Sequence, residues 1–251
     1  MFPKPHLPPL ASDPKPPVHW RIGEHVAVIG TTGTGKTYLI SKLVDFRENV
    51  VILRTKPDDI EFEGFREFRT AKCMEDWRNN RLLIRPKYEH QPSVVYEVLE
   101  NVWKMGRWTV VVDEFFYVQR LGMMRSLERL LTQGRSKRIS LVLGMQRPVQ
   151  VTRFALSEIS HLMAFRVEGR DLRTLKDSTH PDIFEPTKSL QKYQFMHYHV
   201  ASKSTRIGTA QTLQQVLKRL PETLDDVMDI PQDSAIVIDE PRLLGIQRRR
   251  F

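Results

Sequence analysis

The chain has 251 residues, 39 Lys and Arg against 30 Asp and Glu, a formal net charge of +9 and one cysteine. That length suits one large α/β domain with tails and needs no disulfide staples, and the lone Cys73 excludes a disulfide framework or a cysteine metal site. No apolar run approaches the roughly 20 residues of a membrane span, and Met1-Phe2-Pro3-Lys4-Pro5 lacks the apolar centre of a signal peptide, so a soluble, cytoplasmic protein is expected.

Residues 1–17 hold seven of the sixteen prolines. They predict an extended arm over 1–19, either a free tail or a strap onto a partner. The main domain is expected over 20–220 and a tail over 221–251. Inside that domain, the apolar run His25–Ile29 reads as a buried strand. It leads into Gly30-Thr31-Thr32-Gly33-Thr34-Gly35-Lys36-Thr37, which fits G-x-x-x-x-G-K-[ST] at every fixed position. Glycines let the backbone curl and turn several N–H groups inward as a nest for anionic oxygens. Lys36 has the reach for the β- and γ-phosphates, and the Thr37 hydroxyl suits Mg²⁺. The candidate nucleotide contacts are Gly30, Thr31, Thr32, Gly33, Thr34, Gly35, Lys36, Thr37 and Tyr38. Leu39, Ile40, Leu43 and Val44 follow at helical spacing. Strand, glycine loop and helix are the context this motif requires, with the positive end of the helix aimed at the phosphates.

Asn49–Arg54 predicts a second core strand. Residues 55–80, charged and carrying Phe62, Phe65 and Phe68, read as a peripheral excursion without chemistry. Arg81–Arg85 is a further strand closed by Pro86. Val94, Val95, Val98, Leu99 and Val102 make a helical stripe over Ser93–Met105, with Ser93 as its N-cap. Trp108-Thr109-Val110-Val111-Val112-Asp113-Glu114 then fits a Walker B strand. Adjacent acids ending a buried strand are costly without a cation nearby. Asp113 is the candidate metal ligand beside Thr37, and Glu114 the candidate residue that orients and polarises the attacking water.

A helix is expected over 121–136, on Met124, Leu127, Leu130 and Leu131, and Gly134-Arg135-Ser136-Lys137-Arg138 ends it. Ile139–Met145 is another strand, closed by Gln146-Arg147-Pro148. Gln146, at the end of a strand beside Walker B, is placed to face a γ-phosphate.

Walker A, Val-Val-Asp-Glu, a helix and then Gly-Arg-x-x-x-Ile-x-Leu-Val-Leu-x-x-Gln-Arg-Pro together resemble the FtsK–HerA superfamily of hexameric DNA-pumping ATPases. The likeness runs from about residue 24 to 177, through Met163–Val167 and Arg170–Leu175. It implies a RecA-like (ASCE) P-loop NTPase fold, α/β, with a mostly parallel central sheet flanked by helices. It implies ATP as substrate with Mg²⁺. Lys36 and Thr37 match the family's phosphate and magnesium residues, Asp113 and Glu114 its metal and water-activating acids, and Gln146 its sensor. Arg135 matches the arginine finger that reaches the adjacent subunit's nucleotide, with Arg138, Arg147 and Arg170 in reserve. On its own terms Arg135 also reads as a basic residue answering a helix dipole. The compact members of the superfamily include genome-packaging ATPases of tailless, membrane-containing double-stranded DNA viruses. The likeness therefore implies a homo-oligomeric, hexameric ring on double-stranded DNA, with capsid or membrane-vertex proteins as partners, located in the host cytoplasm or at the packaging vertex.

The charge agrees with a polyanion partner. Phe115–Lys176 carries twelve Lys and Arg against four Asp and Glu, which suits nucleic acid or, equally, a solvated basic face. Arg120, Arg125 and Arg153, after the Walker B acids and after Pro148, are the candidate DNA phosphate contacts. Past 180, Lys192–Val200 alternates as a strand with which Ser204–Thr209 can pair. His197 and His199 share one face of it, but two ligands without a third read as an ordinary polar face. Leu213–Leu220 suggests a short helix. Other readings are an ATP-dependent assembly or scaffold switch, a HerA-like helicase or conjugative DNA pump, and a small-molecule kinase.

Overall fold

The computed structural model describes residues 20–210 apart from 57–61, 63, 77–79 and 179–184. The proline-rich arm, the helix expected over Leu213–Leu220 and the tail from 221 lie outside the described residues. Four strands form the centre: β1 (Val26–Ile29), β2 (Val50–Leu53), β5 (Thr109–Val112) and β6 (Ser140–Met145). All four are buried along their whole length. Strands covered on both faces read as unbroken apolar runs, which is why their sequences do not alternate.

The remaining strands are β3 (Arg66–Phe68), β4 (Arg81–Ile84), β7 (His161–Ala164), β8 (Gln194–His199) and β9 (Ser204–Thr209). The sheet order is β3-β4-β2-β5-β6-β1-β7-β8-β9. Every neighbouring pair from β3 to β7 is parallel, and β7-β8 and β8-β9 are antiparallel. The mostly parallel α/β sheet is as expected. β6 separates β1 from β5, so the strand ending in Gln146 lies between the two nucleotide motifs.

Side chains alternate between two cores. Ala27, Ile29, Val51, Leu53, Val110, Val112, Leu141 and Leu143 pack under α2 (Gln91–Met105) and α4 (Met124–Gln133). Val26, Val28, Val50, Ile52, Val111 and Val142 pack under Trp20 and α1 (Lys36–Val44), through Leu39, Ile40, Leu43 and Val44. Shorter helices are α3 (Phe115–Val118), α5 (Arg153–Ser157) and α6 (Gly169–Ser178). None of the described helices is long and apolar enough to cross a membrane.

His25 ties the start of β1 to the other layer. Its Nδ1 accepts from the Leu141 N–H at 3.1 Å and its Nε2 donates to the Leu131 carbonyl at 3.0 Å. Burial holds its pKa down to about 4, so the neutral ring makes both bonds.

Four local expectations are corrected. The stretch 55–80 contains the edge strand β3, whose Arg66 and Glu67 are exposed; charge on an edge strand blunts further pairing and hides its strand pattern. Helix α2 begins at Gln91 with Pro92 in its first turn, and the Ser93 hydroxyl donates back to the His90 carbonyl at 3.0 Å instead of capping. The helix expected over 121–136 is shorter. Gly122, at φ 85°, breaks it inside a π-type turn over Gln119–Met123, and a tight 3₁₀ turn over Gly134–Lys137 replaces its end. Over Met163–Val167, where the family resemblance implies the next strand, the strand is His161–Ala164, starting two and ending three residues earlier.

Candidate active site

The chain leaves β1 at Gly30, whose N–H donates to the Met145 carbonyl at 3.0 Å. The Thr34 hydroxyl closes the loop onto the Thr31 carbonyl at 2.8 Å. Gly35 sits at φ 96° immediately before α1, a conformation that any side chain strains. Lys36, the first helical residue, is 8% exposed. Its ammonium is held below the ordinary lysine range, chiefly by burial; Asp113 and Glu114 pull it up, and Lys56 and Arg54 push it down.

Parallel pairing brings the ends of β1, β2, β5 and β6 to the same edge. The Thr37 hydroxyl lies 3.5 Å from Asp113 Oδ1. Two hard oxygen donors at that spacing suit Mg²⁺. Glu114, half-buried just past β5, accepts from Gln146 Nε2 at 3.0 Å. Lys36, Thr37, Asp113, Glu114 and Gln146 are therefore brought together from three separate strands.

Two residues here escaped the sequence reading. Arg54, 1% exposed, donates from Nη1 to Asp113 Oδ2 at 2.9 Å. Lys56 forms an ion pair with the same oxygen of Glu114 that Gln146 holds. Both follow β2, and the sequence does not say that β2 adjoins β5. The available signal was Arg-Thr-Lys directly after a wholly apolar strand, where a P-loop sheet gathers its charged groups.

Gly144 fixes the spacing of the two strands. A Cβ there stands 2.3 Å from the Asp113 carbonyl oxygen, which is backbone and cannot yield cheaply. We expect Gly144→Ala to cost on the order of 3 kcal/mol through overpacking and to weaken nucleotide binding by shifting Asp113. Denaturant unfolding and nucleotide titration check this; wild-type values in both would show that β5 and β6 separate freely.

Arg135 lies at the other end. It is exposed in the turn before β6, whereas the P-loop follows β1, a strand parallel to β6. The six residues of β6 put about 20 Å between Arg135 and its own phosphate loop. A Cβ added at Gly23 would stand 3.2 Å from the Arg135 Cγ and 3.4 Å from its Cα, so Gly23 lies close beside it. Arg138 is exposed at the same end, with φ 58°. Arg147 and Arg170 are at the P-loop end, and Arg147 Nε is bound to Asp171 Oδ2 at 3.1 Å.

Arg120, Arg125 and Arg153 are all exposed. Arg125 on α4 and Phe154, next to Arg153 on α5, line one shallow depression with Arg129 and Thr132. Helix α4 and the segment after Pro148 thus meet at one surface, while Arg120 and Arg153 are not among the residues that line it.

No protein-family profile matches the chain. The DNA packaging ATPase P9 of Enterobacteria phage PRD1 is 30% identical over 210 residues, covering 74% of this chain and 86% of P9. The genome packaging NTPase B204 of Sulfolobus turreted icosahedral virus 2 has the same fold, with a TM-score of 0.63 at 18% identity over 75% of this chain and 96% of B204. The cytoplasmic domain of the type VII secretion ATPase EccC from Thermomonospora curvata superposes with a TM-score of 0.50 at 17% identity, over 76% of this chain and 25% of EccC. The likeness to P9 spans most of both sequences, and the chain belongs to the FtsK–HerA-like DNA-packaging ATPases.

Proposed function

We propose that the protein is one subunit of a ring motor that hydrolyses ATP to drive double-stranded viral DNA into a capsid. Arg135 carries this reading. It stands about 20 Å from its own phosphate loop and exposed, so it is placed to serve a neighbour's nucleotide and not its own. P9 is named a DNA packaging ATPase, and B204 has been solved with ATP-γS.

In the proposed cycle, the P-loop amides and Lys36 bind the phosphates at the N-terminus of α1. Thr37 and Asp113 would hold Mg²⁺, which supplies charge neutralisation across the β- and γ-phosphates. Glu114 orients the attacking water and accepts its proton. Gln146, bonded to Glu114, ties the position of that carboxylate to the state of the γ-phosphate. Arg135 of one subunit enters its neighbour's site and offsets charge developing on the transferred phosphoryl group. Arg120, Arg125 and Arg153 contact duplex phosphates without reading sequence.

The test is the steady-state ATPase rate against added duplex DNA. We expect stimulation by duplex that is independent of sequence and declines as salt rises, because phosphate contacts release counterions. A rate indifferent to duplex at low salt would instead favour an assembly switch. Strand displacement on forked substrates would favour a helicase.

A further inference from the structure

A second cluster of ligating groups lies at the sheet end opposite the nucleotide site. His161 opens β7 and pairs directly across with His199 of β8, and His197 lies two residues along the same face. From the sequence His197 and His199 lacked a third ligand. Folding supplies two more groups: His161, and Glu24 from the turn before β1. Ligand atoms of Glu24, His161 and His199 all lie within 4.8 Å of one another.

We propose that Glu24, His161 and His199 form a binding site for one divalent transition-metal ion of the zinc class.

The hydrogen bonds around the cluster fit this. His199 Nδ1 lies 2.7 Å from the Ser202 hydroxyl, which leaves Nε2 for an ion. His161 Nδ1 lies 3.1 Å from His197 Nε2, and His161 Nε2 lies 3.0 Å from Glu24 Oε2. A ligating imidazole is commonly held in this way, its other nitrogen fixed by a neighbour. Buried beside His161, with Nε2 facing its Nδ1, His197 serves as the orienting partner of that ligand.

Two imidazoles and one carboxylate leave a fourth tetrahedral position. Glu24 and His199 are only half-buried, so water reaches that position and an ion has a way in. Metal–ligand distances of about 2.0–2.2 Å place tetrahedral ligand atoms roughly 3.3–3.5 Å apart. The His161 and His199 rings are stacked with centroids 4.5 Å apart. Closing on an ion requires the His199 ring to swing, which its position at the solvent-facing end of β8 permits. Imidazole-rich donors select zinc-class ions over magnesium, so this site and the Thr37–Asp113 oxygens take different metals.

The site also has a structural consequence. Glu24 Oε2 accepts from the Arg21 N–H at 2.6 Å, and the intervening Gly23 lies close beside Arg135 while its N–H donates to the Ser140 hydroxyl at 2.8 Å. An ion on Glu24 would pin to β7 and β8 the turn that backs Arg135.

The test uses the full-length protein stripped with a chelator and dialysed free of it. Zn²⁺ is titrated by calorimetry and Co²⁺ by visible absorption, on the wild type and on Glu24→Gln and His199→Asn. These replace half-exposed groups, and circular dichroism checks that both variants fold. The expected result is one tight equivalent per chain with the absorption bands of four- or five-coordinate Co²⁺, and at least tenfold weaker binding in each variant. Absence of a tight equivalent, or binding that either variant leaves within tenfold of wild type, overturns the proposal and leaves Glu24, His161 and His197 as a hydrogen-bonded chain only.

Discussion

Replacing Arg135 by alanine lowers the duplex-stimulated kcat by on the order of 10³-fold or more, with little change in nucleotide affinity. The reason is geometric. The residue is exposed at the N-terminal end of β6, and the phosphate loop is at the C-terminal end of β1, its parallel neighbour. A guanidinium so placed contributes nothing to ground-state binding in its own subunit. In the proposed ring it would meet the next subunit's γ-phosphate, where charge grows in the transition state. Mixing then gives the sharper result. Each Arg135→Ala subunit disables a wild-type neighbour, so the rate falls faster than the wild-type fraction as variant is added. Arg147→Ala should not reproduce this poisoning, because Arg147 is at the nucleotide end and occupied with Asp171. A rate that tracks the wild-type fraction in simple proportion would mean independent active sites and would remove Arg135 from the chemistry.

The contrast between Arg135 and the P-loop also indicates what a sequence can carry. Strands β1, β2, β5 and β6 were legible because each is a short apolar run bounded by turn-formers, and burial on both faces leaves no other composition available. The loop at Gly30–Thr37 was legible because phosphate binding dictates residue type at fixed spacing. Strand β3 was not, because Arg66 and Glu67 on an edge strand erase the apolar signal. The break at Gly122 was hidden inside a continuous helical stripe, since one glycine does not disturb the period of Met124, Leu127 and Leu131. Lateral neighbours were the largest gap. Arg54 and Lys56 meet Asp113 and Glu114 only because β2 adjoins β5, a fact of sheet order that no local pattern encodes. Glu24 and His161 joined His199 for the same reason, across the β1–β7 and β7–β8 pairings.

Glu114→Gln should separate binding from chemistry. The amide keeps the size of the carboxylate and still hydrogen-bonds a water, but it cannot accept that water's proton. General-base removal typically costs 10²–10⁴-fold, so kcat should fall by about 10³-fold. Nucleotide affinity should hold, because Glu114 neither lines the glycine loop nor belongs to the Thr37–Asp113 pair. Lys36→Ala should behave in the opposite sense and lose the nucleotide itself, having lost a buried cation aimed at the phosphates. Lys56 supplies the control within the same network. Its ammonium pairs with Glu114, whose same oxygen also accepts from Gln146. Lys56→Ala leaves the carboxylate present and still held by Gln146, so it should lower kcat by no more than roughly tenfold, the cost of one positioning contact. Fluorescent-nucleotide titration beside single-turnover hydrolysis resolves the three variants. Should Glu114→Gln hydrolyse as fast as Lys56→Ala, the base lies elsewhere and Glu114 acts only by holding Lys56 and Gln146 in place.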